Sequence, residues 1–385
     1  MSEKNRPKPV VLIILDGWGI APPSQGNAVT LAHTPCFDSL AKKYTCLTIQ
    51  ASGENVGLPW GVMGNSEVGH TNIGAGKVIF QSLPRINHAI NDGSFFKNKV
   101  ILDAIAHTQK YSSQLHLMGI ISRGDVHGSL DHLFALLDLI KQQDKNKQVF
   151  IHGFLDGRDM SKDSGIDFVK EIIHRTKKIK LGQIATLSGR FYAMDRDNHW
   201  ERIVKVYQTM VKGEATSSFD NPIKAVQKSY QQKIFDEEFL PVVITKHNQP
   251  VGKVSDNDAI IFFNYRADRA RELTKAFVSP DFDKFNRQQL TNLYFATMTQ
   301  YEADLPVKII FSKEGIVQPL GKIISDVGLR QLHIAETQKY AHVTYFFNGG
   351  QEKPFPREDD VLIPSPRVAS FAKAPKMSAP LVSQR

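Results

Sequence analysis

The chain repeatedly places a short apolar run before a glycine-bearing loop and a helical segment, and this repeat constrains its fold most strongly. Runs of strand length lie within residues 113–122, 147–159 and 180–197, and each is followed by an amphipathic pattern. The stretch DNDAIIFFNYRADRARELTKAF (256–277) shows the same order within itself. Strands that alternate with helices form parallel sheets, because each crossover helix returns the chain to the same end of the sheet. The sequence therefore predicts an α/β fold with a parallel or mostly parallel sheet.

The first apolar run, PVVLIILDGWG, contains six consecutive large apolar residues, Val10–Leu15, followed by Asp16 and nearby glycines. An unbroken apolar run is typical of a parallel strand that is buried on both faces. Asp16 would then lie at the carboxyl end of a strand, which is where open α/β sheets bind ligands.

Composition narrows the class of protein. The 385 residues suggest two or three domains, and 41% hydrophobic with 23% charged residues is ordinary for a globular protein. The two cysteines form neither a metal-binding spacing nor a disulfide framework, so we expect a cytoplasmic protein. MSEKNRPKP at the N-terminus lacks a signal-peptide pattern, and the apolar runs are too short for a membrane span. The net charge is +9, but no long basic block with interleaved aromatic residues indicates nucleic-acid binding.

The glycine-rich stretch GVMGNSEVGHTNIGAG (61–76) surrounds a single serine, Ser66. A Walker phosphate loop is excluded because Lys77 is followed by Val78 instead of a hydroxyl residue. A nucleophile elbow is excluded because Val68 replaces its second glycine. Two interpretations stay open. Ser66 begins a helix whose free N–H groups favour an anion, or it is an ordinary helix N-cap.

Basic and polar side chains follow the predicted strands at their carboxyl ends. Each one alone is compatible with a surface charge or a helix start. Together they predict an anion pocket, and specifically a phosphate pocket, because arginine matches phosphate and carboxylate bidentately. These residues are His127, Arg158, Asp159, Arg190, Arg196, Arg266 and Arg269.

Six motifs give the chain a specific resemblance. They are LDGWG, MGNSEVGHTNIGAGKVIFQSLPRI, FLDGRD, SGRFYAMDRDNHWER, FNYRADRARELT and AETQKYAHVTYFFNGG, in order from Val10 to about Ser378. Together they resemble the cofactor-independent (2,3-bisphosphoglycerate-independent) phosphoglycerate mutases of the alkaline phosphatase superfamily.

The resemblance implies a two-domain α/β fold. An alkaline-phosphatase-like domain would comprise residues 1–78 and 315–385, and an α/β transferase domain that binds substrate would be inserted at 79–314. The implied function is interconversion of 3-phosphoglycerate and 2-phosphoglycerate in glycolysis and gluconeogenesis. The implied partner is therefore a small-molecule substrate, with no nucleic acid and no membrane, and we expect a monomer.

The resemblance also implies residue roles. Ser66 would be the catalytic serine that becomes phosphoserine, and Asp16 and Ser66 would be ligands to one of two Mn²⁺ ions. A metal beside the hydroxyl would favour the alkoxide. Phosphoglycerate would be held by His127, Arg158, Asp159, Arg190, Arg196, Arg266, Arg269 and Lys339.

The chain departs from the family pattern in two places. Where the family reads S-D-G-G-V-H-S-H, this chain reads SRGDVHGS over 122–129, so we expect altered loop geometry around His127. The family's D-x-x-G-H and A-D-H-G-N motifs, with a further histidine, do not occur. These motifs would supply the remaining metal ligands.

We therefore expect a chain that lacks the C-terminal part of its phosphatase domain and that is inactive alone. A separate C-terminal polypeptide would be one source of the missing ligands. The alternatives are another metal-dependent phosphomutase or phosphatase of the superfamily, or a non-catalytic module that binds anions.

Overall fold

The structure is a computed structural model that describes residues 9–143, 148–313 and 315–385. Most of the N-terminal stretch MSEKNRPKP and the expected boundary residue 314 lie outside these ranges. The chain forms two compact units, each with its own internal contacts. One is continuous, Phe80–Gly315, and the other combines Met1–Ile79 with Ile316–Arg385.

The described residues form fourteen α-helices and eleven β-strands. The α-helices are α1 (Ala28–Leu31), α2 (Pro35–Lys43), α3 (Ser66–Ala75), α4 (Ser82–Asn91), α5 (Lys99–Tyr111), α6 (Leu130–Gln143), α7 (Gly165–Ile179), α8 (Arg190–Ala193), α9 (Trp200–Val211), α10 (Pro222–Gln231), α11 (Arg271–Val278), α12 (Leu320–Asp326), α13 (Thr337–Ala341) and α14 (Ala379–Ser383). The strands are β1 (Leu115–Ile120), β2 (Val149–Leu155), β3 (Gln183–Gly189), β4 (Ser217–Phe219), β5 (Val242–Lys246), β6 (Gln249–Pro250), β7 (Ala259–Phe262), β8 (Tyr294–Thr299), β9 (Lys308–Phe311), β10 (Gln331–Glu336) and β11 (Glu358–Ile363).

The continuous unit is built on one sheet with the strand order β4-β5-β3-β2-β1-β7-β8-β9, and β6 pairs with β5. Its pairs are parallel except β3–β5 and β5–β6, which are antiparallel. The predicted α/β class with a mostly parallel sheet is confirmed. Because β3, β2, β1 and β7 are neighbours, their carboxyl ends lie side by side, and the loops that follow them share one edge.

Both faces of this sheet are covered, which explains why its central strands lack a polar alternation. Successive residues point to opposite faces, so Leu117 belongs to one buried cluster and Met118 to the other. Residues of α6 and α7 pack in the first cluster, and residues of α9 and α11 pack in the second. The sheet is therefore the middle layer of a sandwich, with the loops that follow β1, β2, β3 and β7 at its carboxyl edge.

The other unit contains α1–α3, α12–α14 and a single parallel pair, β10–β11. The prediction of a buried strand at Val10–Leu15 is wrong. This segment pairs with no described strand, and Val10 and Ile13 are 85% and 74% exposed. A parallel strand needs a neighbour for its backbone groups and cover for both faces, and the described residues provide neither here. Across the described chain, no helix combines the length and apolarity that a bilayer span requires.

Candidate active site

Ser66 is the first residue of α3, and its side chain is directed at a carboxylate. The Ser66 Oγ donates a hydrogen bond to Asp16 Oδ2 at 2.5 Å. The interpretation of Ser66 as the N-cap is wrong, because Asn65 is the cap and accepts from the Val68 N–H through its side chain. The cap therefore leaves the Ser66 hydroxyl free for Asp16.

Asp16 lies in a turn directly after Val10–Leu15, and its carboxylate contacts both a hydroxyl and an ammonium group. Lys339 Nζ lies 2.7 Å from the same Oδ2 that Ser66 contacts. Partial burial would raise the pKa of Asp16, but the hydrogen bonds from Lys339 and Ser66 outweigh it and hold that pKa below the usual value. Asp16 is therefore ionised at neutral pH, and it is the nearest described acceptor for the Ser66 proton.

Two glycines of the stretch 61–76 allow close backbone contacts around Ser66. A Cβ on Gly64 would lie 1.7 Å from the Ala51 carbonyl oxygen. A Cβ on Gly74 would lie 1.9 Å from the Phe347 carbonyl oxygen. These positions tolerate no side chain without a backbone shift. The glycine content around the serine is thus explained in part by packing of the protein against itself.

In the continuous unit, a cluster of charged side chains lies where β2 and β3 end. Arg190 is 2% exposed, and its guanidinium lies 2.6 Å from both Asp156 and Asp159. Asp156 also accepts from Ser122 Oγ at 2.6 Å and from the Arg158 and Asp159 N–H groups. Hydrogen bonds from three consecutive connections therefore fix Arg190 at the edge of the sheet.

His127 lies between two carboxylates of this cluster. Its Nε2 is 4.0 Å from Asp159, and its Nδ1 is 3.6 Å from Asp268. Asp268 also pairs with Arg196 and Arg266 at 3.1 and 3.2 Å. Burial, followed by the charge of Arg190, lowers the pKa of His127 to about 4. His127 is therefore a neutral imidazole at physiological pH.

A cavity of about 130 Å³ opens beside this cluster. Burial, followed by the charges of Arg196, Arg190 and Arg158, lowers the pKa of Arg269 on its wall. This crowding of positive charge is relieved by a bound anion. The cavity is lined by Arg158, Arg190, Phe191, Asp195, Asp197, Arg202, Glu237 and Arg269.

Sequence reasoning identified part of this cluster and missed part of it. The predicted residues of the continuous unit lie in the segments that follow the strands at one sheet edge, whereas Lys339 lies in the other unit against Asp16. Sequence reasoning missed Asp156, Arg202 and Asp268. Asp156 directly follows β2, so its position was a usable signal. Arg202, which pairs with Asp195 at 2.7 Å, is the last residue of the motif SGRFYAMDRDNHWER, but the motif alone gave it no role.

The loop around His127, where the sequence departs from the family pattern, carries the charged residue Arg123. The Arg123 side chain does not line the cavity. Arg123 pairs with Asp131 at 2.9 Å and with Glu171 at 2.6 Å. Asp125 adopts a φ of 53°, and its carbonyl accepts a hydrogen bond from the Tyr265 hydroxyl. His127 still receives support from its neighbours, because its carbonyl accepts the Tyr265 and Arg266 N–H groups.

Carboxylate and histidine groups capable of holding a metal ion occur at two places in the described residues. One is Asp195, Asp197 and His199, beside the arginine cavity, and the other is His333, Glu358 and Asp360 on β10 and β11. In the first group Asp195 already pairs with Arg202 and contacts His199. Neither group contains Asp16 or Ser66.

The sheet and the cavity beside its carboxyl edge define an α/β protein with an arginine-lined pocket. The family model described as BPG-independent PGAM N-terminus matches residues 86–303. The chain belongs to the family of 2,3-bisphosphoglycerate-independent phosphoglycerate mutases, because it is 49% identical over 97% of its length to the member from Clostridium perfringens (strain SM101). It is 47% identical to members from Moorella thermoacetica and Methanococcoides burtonii, again over 97% of its length.

A solved structure agrees with this family. The structure of Leishmania mexicana phosphoglycerate mutase at low cobalt concentration matches with a TM-score of 0.62 and 30% identity. The match covers 96% of this chain and 70% of the Leishmania chain. The chain spans 72% of the length of the Clostridium relative.

Proposed function

We propose that this protein, once the remaining metal ligands of the family site are supplied, interconverts 3-phosphoglycerate and 2-phosphoglycerate, a glycolytic and gluconeogenic isomerisation, through a phosphoserine at Ser66. The observation that carries the proposal is the 2.5 Å hydrogen bond from Ser66 Oγ to Asp16 Oδ2. A serine hydroxyl is a weak nucleophile unless an adjacent group activates it. An ionised carboxylate at this distance orients the hydroxyl and is positioned to accept its proton.

The transfer balances as a double displacement. Ser66 Oγ forms a bond to phosphorus while the ester bond between phosphorus and the glycerate oxygen breaks. The serine proton passes to Asp16, and the departing glycerate oxygen takes up a proton from water. In the second half the other glycerate hydroxyl attacks the phosphoserine and releases its proton to water, the bond between phosphorus and Ser66 Oγ breaks, and Asp16 returns its proton to Ser66 Oγ.

The arginines of the continuous unit would hold the two anionic groups of the substrate. The cavity wall carries Arg158, Arg190, Arg202 and Arg269, and a charge-assisted hydrogen bond contributes about 1.5–3 kcal/mol net. Neutral His127 would donate or accept one hydrogen bond without adding charge.

Asp16 and Ser66 fit part of a Mn²⁺ site. Both present oxygen atoms, the ligand type that Mn²⁺ accepts, and one ionised carboxylate provides negative charge. When bound, the ion would stabilise negative charge on the serine oxygen.

These two residues are fewer oxygen ligands than an octahedral ion requires, and the family motifs with the other ligands are not among the 385 residues. We further propose that the 385-residue chain, assayed alone, has no measurable turnover. The setting we propose is cytoplasmic, where the two exposed thiols stay reduced.

The test uses the purified chain with Mn²⁺ and 3-phosphoglycerate in an enolase-coupled assay. One sample contains the chain alone, and a second also contains the C-terminal fragment of a complete relative. We expect turnover only in the second sample. Turnover in the first would contradict the ligand argument.

Ser66→Ala and Thr71→Ala are the matched variants, since both hydroxyls lie on α3 but Thr71 bonds only within the helix, to the Glu67 carbonyl. Only Ser66→Ala should abolish turnover and the mass increase of one phosphoryl group on the α3 peptide. An active sample that carries no phosphoryl group on Ser66 would overturn the phosphoserine route.

A further inference from the structure

The parallel strands β10 and β11 bring three potential metal ligands onto one face. His333 is the register partner of Asp360, and Gln331 is the partner of Glu358. Residues two apart in a strand point to the same face. His333, Glu358 and Asp360 therefore project together, and one ligand atom from each lies within 4.8 Å of the others.

The surroundings of His333 fix which ring nitrogen carries the proton. Gln331 Nε2 donates to the Gly321 carbonyl at 2.8 Å and contacts Glu358 Oε2 at 3.4 Å, so the Gln331 amide oxygen must face the imidazole. That oxygen lies 3.3 Å from His333 Nε2, and an amide oxygen only accepts. His333 Nε2 therefore carries a proton, and Nδ1 is the ring nitrogen available to a ligand.

His333 Nδ1 faces the carboxylates of both Glu358 and Asp360. His333 Nδ1 is 3.4 Å from Glu358 Oε1 and 4.0 Å from Asp360 Oδ1. His333 Nδ1 and Asp360 Oδ1 are both buried without a hydrogen-bond partner. The side chains of His333, Glu358 and Asp360 are 10%, 0% and 11% exposed, so little water compensates them.

The electrostatics of this cluster favour a cation. Glu358 and Asp360 place two carboxylates side by side on the face that they share with His333. The cost of two adjacent carboxylates is relieved by a positive charge between them. Among the described residues, no lysine or arginine forms an ion pair with Asp360.

We propose that His333 Nδ1, Glu358 Oε1 and Asp360 Oδ1 bind one first-row divalent cation of the Zn²⁺ class, with water as a fourth ligand. Tetrahedral Zn²⁺ with bonds of about 2.0–2.1 Å separates its ligand atoms by about 3.3 Å. The observed separations of 3.4 and 4.0 Å need only a small inward movement of Asp360. The site is independent of Ser66 and Asp16.

The neighbours of the three ligands form the supporting contacts that metal sites require. Gln331 holds the His333 ring through Nε2. Asn348 Nδ2 donates to Glu358 Oε1 at 2.6 Å, and the Phe355 N–H donates to Glu358 Oε2 at 3.2 Å. Such contacts orient ligands before the ion arrives. The other group, Asp195, Asp197 and His199, differs because the Asp195 carboxylate is already paired with the positive charge of Arg202.

The ion would bind β10 to β11, and β10 is the strand that immediately precedes the helix carrying Lys339. Glu336, the last residue of β10, immediately precedes α13, which carries Lys339. A bridge between β10 and β11 therefore stabilises the base from which Lys339 reaches Asp16. This gives the site a structural role in the unit that contains Ser66.

The test is Zn²⁺ binding to the full chain, measured by calorimetry and equilibrium dialysis, with Co²⁺ absorption reporting nitrogen and oxygen coordination. His333→Arg and Asp360→Asn are the test variants. His333→Arg supplies a permanent charge between the carboxylates, which should preserve the fold by circular dichroism. Asp197→Asn and Asp16→Asn are the controls.

We expect wild type and both controls to retain one Zn²⁺ equivalent that each test variant loses or binds at least tenfold more weakly. Zn²⁺ should raise the melting temperature of wild type more than that of folded His333→Arg. Equal Zn²⁺ stoichiometry and affinity in wild type and His333→Arg would overturn the proposal. Loss in His333→Arg with full retention in Asp360→Asn would also overturn it, because the site needs both ligands.

Discussion

The guanidinium of Arg190 and the carboxylate of Asp156 form a 2.6 Å ion pair in which each side chain is 2% exposed. The pair joins the ends of β2 and β3, which are neighbouring strands. Asp156 also accepts from Ser122 at the end of β1. One buried carboxylate thus ties together the segments that follow three neighbouring strands, β1, β2 and β3.

Asp156→Ala should destabilise the chain strongly, because it leaves the Arg190 charge buried with only Asp159 as a partner. Removing one member of a buried pair costs about 3–5 kcal/mol in the free energy of unfolding. Asp167→Ala is the control, since Asp167 is 74% exposed and its pair with Lys170 contributes about 0–1 kcal/mol. Urea unfolding measures both, and equal losses would refute the role given to Asp156.

Arg269→Ala should weaken 3-phosphoglycerate binding at least tenfold. Arg269 lines the cavity, and a charge-assisted bond to phosphate or carboxylate contributes about 1.5–3 kcal/mol. Arg123→Ala is the control, because Arg123 pairs with Asp131 and Glu171 and does not line the cavity. Titration calorimetry on both variants decides, and an Arg269→Ala affinity within twofold of wild type would remove Arg269 from the binding site.

Gly74→Ala and Gly69→Ala lie on the same helix, α3, and should change stability in opposite directions. A Cβ on Gly74 meets the Phe347 backbone, whereas a Cβ on Gly69 has no atom within 4 Å. Gly69→Ala should therefore increase the free energy of unfolding by at most about 1 kcal/mol, because alanine has the higher helix propensity. Gly74→Ala should lower the melting temperature, and a stabilised Gly74→Ala variant would contradict the packing around α3.

The free energy of unfolding should decrease as the pH falls from about 6.5 to 4. Burial lowers the pKa of His132 to about 4, so between these values only the unfolded state carries the extra proton. Stability from this group is complete above the unfolded pKa and is lost on acidification, by up to about 1.4 kcal/mol per pH unit. His132→Gln should reduce that slope in urea melts at several pH values; an unchanged slope would contradict the assignment.

Cys36 and Cys46 should both react with a thiol reagent in the folded chain. Both are free and exposed. A colorimetric thiol count under native, non-reducing conditions should return two, the full cysteine content of the chain. A count that reached two only after denaturation would show that one thiol is buried.

Local sequence patterns predicted strands and helices of the continuous unit correctly where their apolar residues are buried in the core. The run that ends in FLDGRD became β2, and the amphipathic segment after it became α7. Val10–Leu15 has the same apolar pattern but lies exposed and unpaired, since burial depends on partners far away in sequence. Periodicity therefore predicted where a strand is favourable but not whether another strand is present to pair with it.

The candidate site shows the same division. Arginines after strands were predictable, because parallel topology brings the strand ends to one edge. The pairing of Lys339 with Asp16 was not predictable from local pattern, because it depends on tertiary structure that joins distant segments. The cap at Asn65 was missed because asparagine and serine are comparable N-caps and stand next to each other here.

The contact between Asp16 and Lys339 spans 323 positions of sequence. A ribosome that adds about 5–20 residues per second needs roughly 15–65 s between them. The arginine cavity, encoded without interruption in Phe80–Gly315, emerges in full before Lys339 is translated. During synthesis the nascent chain therefore holds Asp16 and Ser66 without their lysine, and the ion pair that lowers the pKa of Asp16 is among the last contacts to form.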